Sequence, residues 1–296
     1  MLRLTVLLVL LFSFAQVPPF LADPPHKCDS CDEWNKPREP FKIFGNTYFV
    51  GTDGLSSILI AGDNGLILLD GGLEQSAPLI DANIRKLGFR TQDVRLIVNS
   101  HGHYDHAGGI AALQRASRAG VAASPSGASA LQRGENTEDD PQYGFGGDAN
   151  GFPPVENVQV LRDNQVLSVG NIEITANFTP GHTPGSTAWT WKSCEGLKCL
   201  DMVYADSLTA VSAPGFKYTD SPDRVNAFRR SISRMAELPC DIVISTHPSA
   251  TNLDAKIRKR AEMKGADPDP FVDHGCKALA ATAMKGLEAR VAEEKK

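Results

Sequence analysis

One short stretch, His101-Gly102-His103-Tyr104-Asp105-His106 followed by Ala107-Gly108-Gly109, constrains this chain more than any other. Three of the seven histidines in the 296 residues stand here, interleaved with a carboxylate. Imidazole nitrogen and carboxylate oxygen are good zinc ligands, and two-metal hydrolases gather several of them at one point. The apolar run Leu96-Ile97-Val98 before the stretch reads as a buried strand, and the Ala/Gly/Leu pattern after it as a helix. The ligands therefore fall on a strand-to-helix turn at the carboxyl end of a strand, where open α/β sheets build their sites. An ordinary polar surface turn does not account for such a concentration.

Around that stretch the composition is that of a globular protein, 42% hydrophobic and 22% charged. The length suits one large domain or two small ones. A net charge of −5 argues against a nucleic-acid groove, which needs a basic patch. Arg3, the apolar run Leu4 to Phe14 and the small-x-small site Ser13-Phe14-Ala15 read as a signal peptide over residues 1–15, with cleavage as late as Ala22 as the alternative. Pro18-Pro19 interrupts the run before the roughly 20 apolar residues that a membrane anchor requires. The mature chain is expected to be exported to the periplasm, with no membrane span.

Six cysteines agree with an oxidising compartment. Cys194 and Cys199 read as a hairpin clip, and Cys240 with Cys276 as a staple on the last helix. Cys28-x-x-Cys31 is the third grouping, although six cysteines allow fifteen pairings.

In chain order, residues 23–40 form an extended, Pro-rich arm with Trp34 its large aromatic. A single domain over 41–296 follows. Phe41 to Val50 and Ser56 to Asp70 read as strands broken by the hairpin turns Gly45-Asn46 and Asp63-Asn64-Gly65. Helices are expected over Glu74 to Leu87, closed by Gly88, over Asp105 to Ala119, and over Ser124 to Arg133, with a short strand at Val121 to Ala123. Gly134 to Pro154 is a long acidic, Gly-rich segment carrying Gln142, Tyr143, Phe145 and Phe152. It is either a functional loop or a solvated connector. Strands at Val158 to Leu161, Gln165 to Leu167, Ile172 to Phe178, Gly185 to Trp191, Met202 to Tyr204 and Asp241 to Ile244 follow. Helices at Pro222 to Glu237, Asn252 to Met263 and Phe271 to Glu294 complete the chain. Strands first and helices after, twice, predicts two β-α halves (41–157 and 158–296) packed sheet to sheet.

Two further histidines stand at strand ends: His182 in Thr179-Pro180-Gly181-His182-Thr183-Pro184-Gly185, and His247 in Ser245-Thr246-His247-Pro248. His26 and His274 have no partner nearby in sequence and read as surface residues. Together the HxHxDH motif, the PGHTPGS turn, Leu69-Asp70-Gly71-Gly72 and Thr246-His247-Pro248 resemble the metallo-β-lactamase superfamily. The segments Pro40 to Tyr48, Ala205-Asp206-Ser207-Leu208-Thr209-Ala210 and Leu238-Pro239-Cys240-Asp241, with Cys276 downstream, are similar to its subclass B3. The resemblance covers about residues 40–290.

That resemblance implies an αββα sandwich, two mixed β-sheets face to face with helices outside, and two zinc ions. One zinc would be held by His101, His103 and His182, the other by Asp105, His106 and His247, with positions left open for water. Asp105 would also orient the nucleophile. The implied activity is hydrolysis of penicillins, cephalosporins and carbapenems by a metal-bound hydroxide, giving antibiotic resistance, in a monomer that needs no protein partner. Ser207, where relatives carry a ligating cysteine, and Thr209 would contact substrate or water; Trp34, Gln142, Tyr143 and Phe145 would wall the pocket. Asp70 would orient a ligand imidazole, or else merely cap the next helix. The rival inside the superfamily is a thioesterase or lactonase, in which Asp206 of an Asp-x-Leu segment would bridge the metals.

Overall fold

The computed structural model describes residues 20–147, 150–265 and 267–296. The leader assigned to residues 1–15 lies outside them. Two sheets build the molecule. The first holds seven strands in chain order: β1 (Phe41–Phe44), β2 (Thr47–Phe49), β3 (Ile58–Gly62), β4 (Gly65–Leu69), β5 (Val94–Val98), β6 (Gly120–Ala123) and β7 (Val158–Val160). The second is ordered β12-β11-β10-β9-β8, from β8 (Val166–Val169), β9 (Ile172–Phe178), β10 (Thr187–Glu195), β11 (Lys198–Ala205) and β12 (Ile242–Ser245). The first sheet thus runs past the 157/158 division by one strand.

Period-two alternation sorts the apolar side chains into layers. Ile67 and Leu69 of β4 face the second sheet, where Trp189, Met202, Tyr204 and Ile244 meet them. Leu66 and Leu68 face the other way, onto α2 (Ala77–Lys86), α4 (Ile110–Ser117) and α5 (Pro125–Arg133). The outer face of the second sheet, Val203 and Val243, packs on α6 (Pro222–Glu237) and α8 (Cys276–Glu294), with α7 (Leu253–Glu262) between them in sequence. Central strands buried on both faces read as unbroken apolar runs for this reason. The result is the expected four-layer αββα sandwich. Among the described residues, no helix is long and apolar enough to cross a membrane.

Three expectations change. The helix over Asp105 to Ala119 is broken: one turn, α3 (Tyr104–Ala107), stops at Gly108-Gly109 before α4 begins. A Cβ on Gly109 would lie 2.2 Å from the Gly71 carbonyl oxygen, so the turn that carries the ligands can pack on Leu69–Gly72 only through glycine. The arm is not wholly extended either. Cys28 and Cys31 are joined, and a helical turn, α1 (Cys31–Trp34), brings the Trp34 carbonyl to Thr52 Oγ1 (2.7 Å) and Gly54 N (3.1 Å). The other cysteines form Cys194–Cys199 and Cys240–Cys276. The last helix opens at Cys276 rather than Phe271, because His274 takes a left-handed backbone (φ 50°) just before it.

Candidate metal centre

Six side chains converge at one end of both sheets. His101 and His103 lie between β5 and α3, Asp105 and His106 on α3, His182 in the β9–β10 turn, and His247 just after β12. Ligand atoms of His101, His103 and His182 lie within 4.8 Å of one another, as do those of His101, Asp105 and His106. His247 Nε2 comes to 3.3 Å from Asp105 Oδ2, which His106 Nε2 approaches to 3.2 Å.

The nitrogen that each imidazole turns inward is fixed by what holds its other nitrogen. His182 Nδ1–H donates to the Thr209 carbonyl (2.9 Å) and His247 Nδ1–H to the Gly54 carbonyl (3.2 Å). A carbonyl only accepts, so Nε2 of both rings keeps its lone pair. His101 Nδ1 pairs with Asp206 Oδ1 at 2.6 Å, and His101 Nε2 is buried with no hydrogen-bond partner among the described residues. His103 is turned the other way: Nε2 pairs with Asp140 at 3.1–3.2 Å, leaving Nδ1 for the cluster. Buried lone pairs aimed at a common point fit a cation, and the mixed N/O donor set fits zinc.

Protonation agrees. Burial, then the neighbouring imidazoles, push His101 well below its ordinary range, and His182 down to about 3. Both rings are therefore neutral. Burial works against an ionised Asp105, but the charge on His106 and hydrogen bonds from His106 and His247 outweigh it and hold the carboxyl well below normal. Burial pushes Asp206 well above the carboxylate range, so metal entering the cluster would displace protons.

Several residues do something other than the sequence suggests. Asp70 orients no imidazole directly: its Oδ2 stands 4.0 Å from His106 Nδ1, beyond hydrogen bonding. It accepts instead from Asn99 Nδ2, Ser100 N, Ser100 Oγ and Tyr204 OH at 2.6–3.0 Å, tying the backbone just before the motif to the second sheet. Thr209 Oγ1 lies 3.2 Å from His182 Nδ1, beside its own carbonyl's bond to that ring. Ser207 Oγ is 2.9 Å from Thr246 Oγ1. His26 is not a surface residue: it stacks on Tyr104 (centroids 4.0 Å apart, planes 9°), with Nδ1 3.6 Å from Glu74 Oε1. His274 is exposed, as expected.

The cluster opens into a cleft of about 770 Å³, with Trp34, Gln142, Ser207, Thr209 and His247 on its wall. The Trp34 and His247 rings are 5.4 Å apart. Tyr143 and Phe145 sit on a short turn outside this lining, and the C-terminal helix supplies the wall instead. Sequence reasoning foresaw that helix but not its place on the cleft wall, and it missed Asp140, which nothing in its spacing sets apart from Glu138 and Asp139. Asp206 was noticed, but as a metal bridge; it lies on the far nitrogen of His101.

This fold and ligand cluster define a superfamily. A family model described as the metallo-beta-lactamase superfamily matches residues 50–247, and the chain belongs to that superfamily. Solved structures carry the assignment further, into subclass B3. The chain is similar to the Rm3 metallo-beta-lactamase, at 49% identity and TM-score 0.87 over 91% of this chain and 100% of that one. It is also similar to MEM-A1, a subclass B3 metallo-beta-lactamase isolated from a soil metagenome library, at 44% identity and TM-score 0.84 over 88% and 98%. Among curated proteins, acyl-coenzyme A thioesterase MBLAC2 of Gallus gallus is 30% identical over 124 residues, 38% of this chain and 43% of that protein. The chain thus spans under half the length of that relative.

Proposed function

We propose that this chain hydrolyses the β-lactam amide bond of penicillins, cephalosporins and carbapenems with two zinc ions bound. The observation that carries the reading is the orientation of the imidazoles, three of them aimed at one point beside His101 and two at Asp105. His101, His103 and His182 would hold the first zinc; Asp105, His106 and His247 the second. Zinc so held supplies Lewis acidity and brings the pKa of water to around 7.

The chain's own groups do the rest. Asp105, ionised inside the cluster, accepts a hydrogen bond from the attacking water and so orients its lone pair. Asp206, Asp140 and the carbonyls of Thr209 and Gly54 hold the rings, so that little reorganisation is left for the reaction. Ser207 and Thr209 stand at the cleft wall to meet the substrate carboxylate, with Trp34 and Gln142 flanking. The near-complete coverage of the B3 structures supports β-lactams over thioesters. So does Asp206, which is turned onto His101 rather than into the ligand set.

Further readings belong to the same proposal: export by a signal peptide to the periplasm, three disulfides there, and a monomer that protects its host from β-lactams. The deciding assay is carbapenem hydrolysis by the purified protein, with turnover abolished by a chelator and restored by zinc. Absence of β-lactam turnover together with fast thioester cleavage would replace this reading with the thioesterase one.

A further inference from the structure

The cleft does not end at the metal ligands. It continues along α8, where Leu279, Ala283, Gly286 and Arg290 recur at intervals of four, three and four residues. That spacing puts them on one helical face over three turns, about 16 Å at 1.5 Å per residue. A different stripe of the same helix, Cys276, Ala280, Leu287 and Val291, is the one buried in the core. Ala210 and Val211 also line the cleft, and Val211 is 45% exposed although apolar.

Three observations say what this groove can take. Its surface is carbon along most of its length. The charged side chain that α8 contributes to the lining, Arg290, is already engaged, with Nε on Glu294 at 2.5 Å and Nη2 on Ser212 Oγ at 2.7 Å. Its inner end meets His182, His247 and Asp206, whose Oδ2 is buried without a hydrogen-bond partner among the described residues. The groove and the metal centre therefore form one continuous site. Gly286 is the telling position. Glycine is unfavourable inside a helix, and no neighbour demands it here, since a Cβ would meet nothing within 4 Å. What its missing side chain provides is width in the cleft. The wall is also fixed in advance, by Cys240–Cys276 at the start of α8 and by Arg229 paired with Glu288 near its end.

Taking the β-lactamase reading as its basis, we propose that this groove receives the apolar, preferably aryl, acyl substituent of the substrate, and that Gly286 determines how large that substituent can be. Substrates bearing an arylacetamido group would bury it along α8, whereas a small hydroxyethyl substituent would leave the groove empty.

The test compares Gly286→Leu with the parent enzyme on an arylacetamido penicillin and on a hydroxyethyl carbapenem. Filling the groove should lower the ratio of kcat/KM, penicillin to carbapenem, by about tenfold or more, chiefly through KM, as apolar pocket discrimination allows. Binding of the hydrolysed arylacetamido product, followed by tryptophan fluorescence, should weaken by a similar factor. Ala283→Leu narrows the same groove one turn earlier and serves if the first variant folds poorly, with zinc content and thermal unfolding as checks. A ratio within twofold of the parent in a folded, zinc-loaded variant overturns the groove alone. A parent inert toward both substrates overturns the β-lactamase reading, and the groove with it.

Discussion

Asp206 Oδ1 at 2.6 Å from His101 Nδ1 and Asp140 beside His103 Nε2 show how much of the metal centre lies one step behind the ligands. Each carboxylate fixes a tautomer and strengthens the donor nitrogen on the other side of its ring. Asp206→Asn keeps the shape but cannot give up a proton as metal enters, and the expected result is a loss of about 10–100-fold in zinc affinity, read by competition with a chromophoric chelator. Unchanged affinity would mean that the carboxylate only fills space. The candidate ligands themselves were legible from sequence because they cluster or end strands. Asp140 was not, since an acidic residue in an acidic loop carries no periodicity, and only the chain path brings it under His103.

At the scale of elements, the arm and the first helix meet over a buried acid. Glu74 opens the turn before α2, facing His26, Tyr104 and Asp23, and burial, then the charge of Asp23, raise its pKa to about 7. Between pH 4.5 and 7 the folded chain thus holds a proton that the unfolded chain has released, so stability falls as pH rises through that window. Glu74→Gln, which resembles the protonated form, should match the parent near pH 4.5 and exceed it by on the order of 3 kcal/mol at pH 8, measured by urea unfolding of the zinc-loaded protein. A pH-independent difference would show that Glu74 does not carry the proton. The same meeting explains why the arm was misread. Pro and charge suggest extension, but Cys28–Cys31 closes a turn that starts α1, and His26 finds its ring partner 78 residues on, at Tyr104.

Across the whole molecule, the six proposed ligands come from both sheets: His101 to His106 from the first, His182 and His247 from the second. Metal held there links the two halves and binds only the folded state. At a hundredfold excess of free zinc over Kd the linkage is worth about 2.7 kcal/mol, so chelation should lower Tm by several degrees at this size. A Tm indifferent to chelator would refute a metal that spans the sheets. Asp70, just after β4, makes the same link without metal, accepting from Ser100 Oγ after β5 and directly from Tyr204 OH of β11.

The sequence by itself determined the layers, the strands and the candidate ligand cluster, because alternation, turn residues and clustered imidazoles are local properties of the chain. It also carried the resemblance that separates subclass B3 from its relatives. Tertiary structure alone decided which nitrogen of each ring faces inward, that the ligand-bearing helix must break at Gly108-Gly109, and that α8 forms the far wall of the cleft. Those depend on what the folded chain sets against each group: a carbonyl, a backbone too close for a Cβ, or open space beside Gly286. The turn at His101 to His106 announces a metal centre, and the rest of the fold decides how each of its side chains is held.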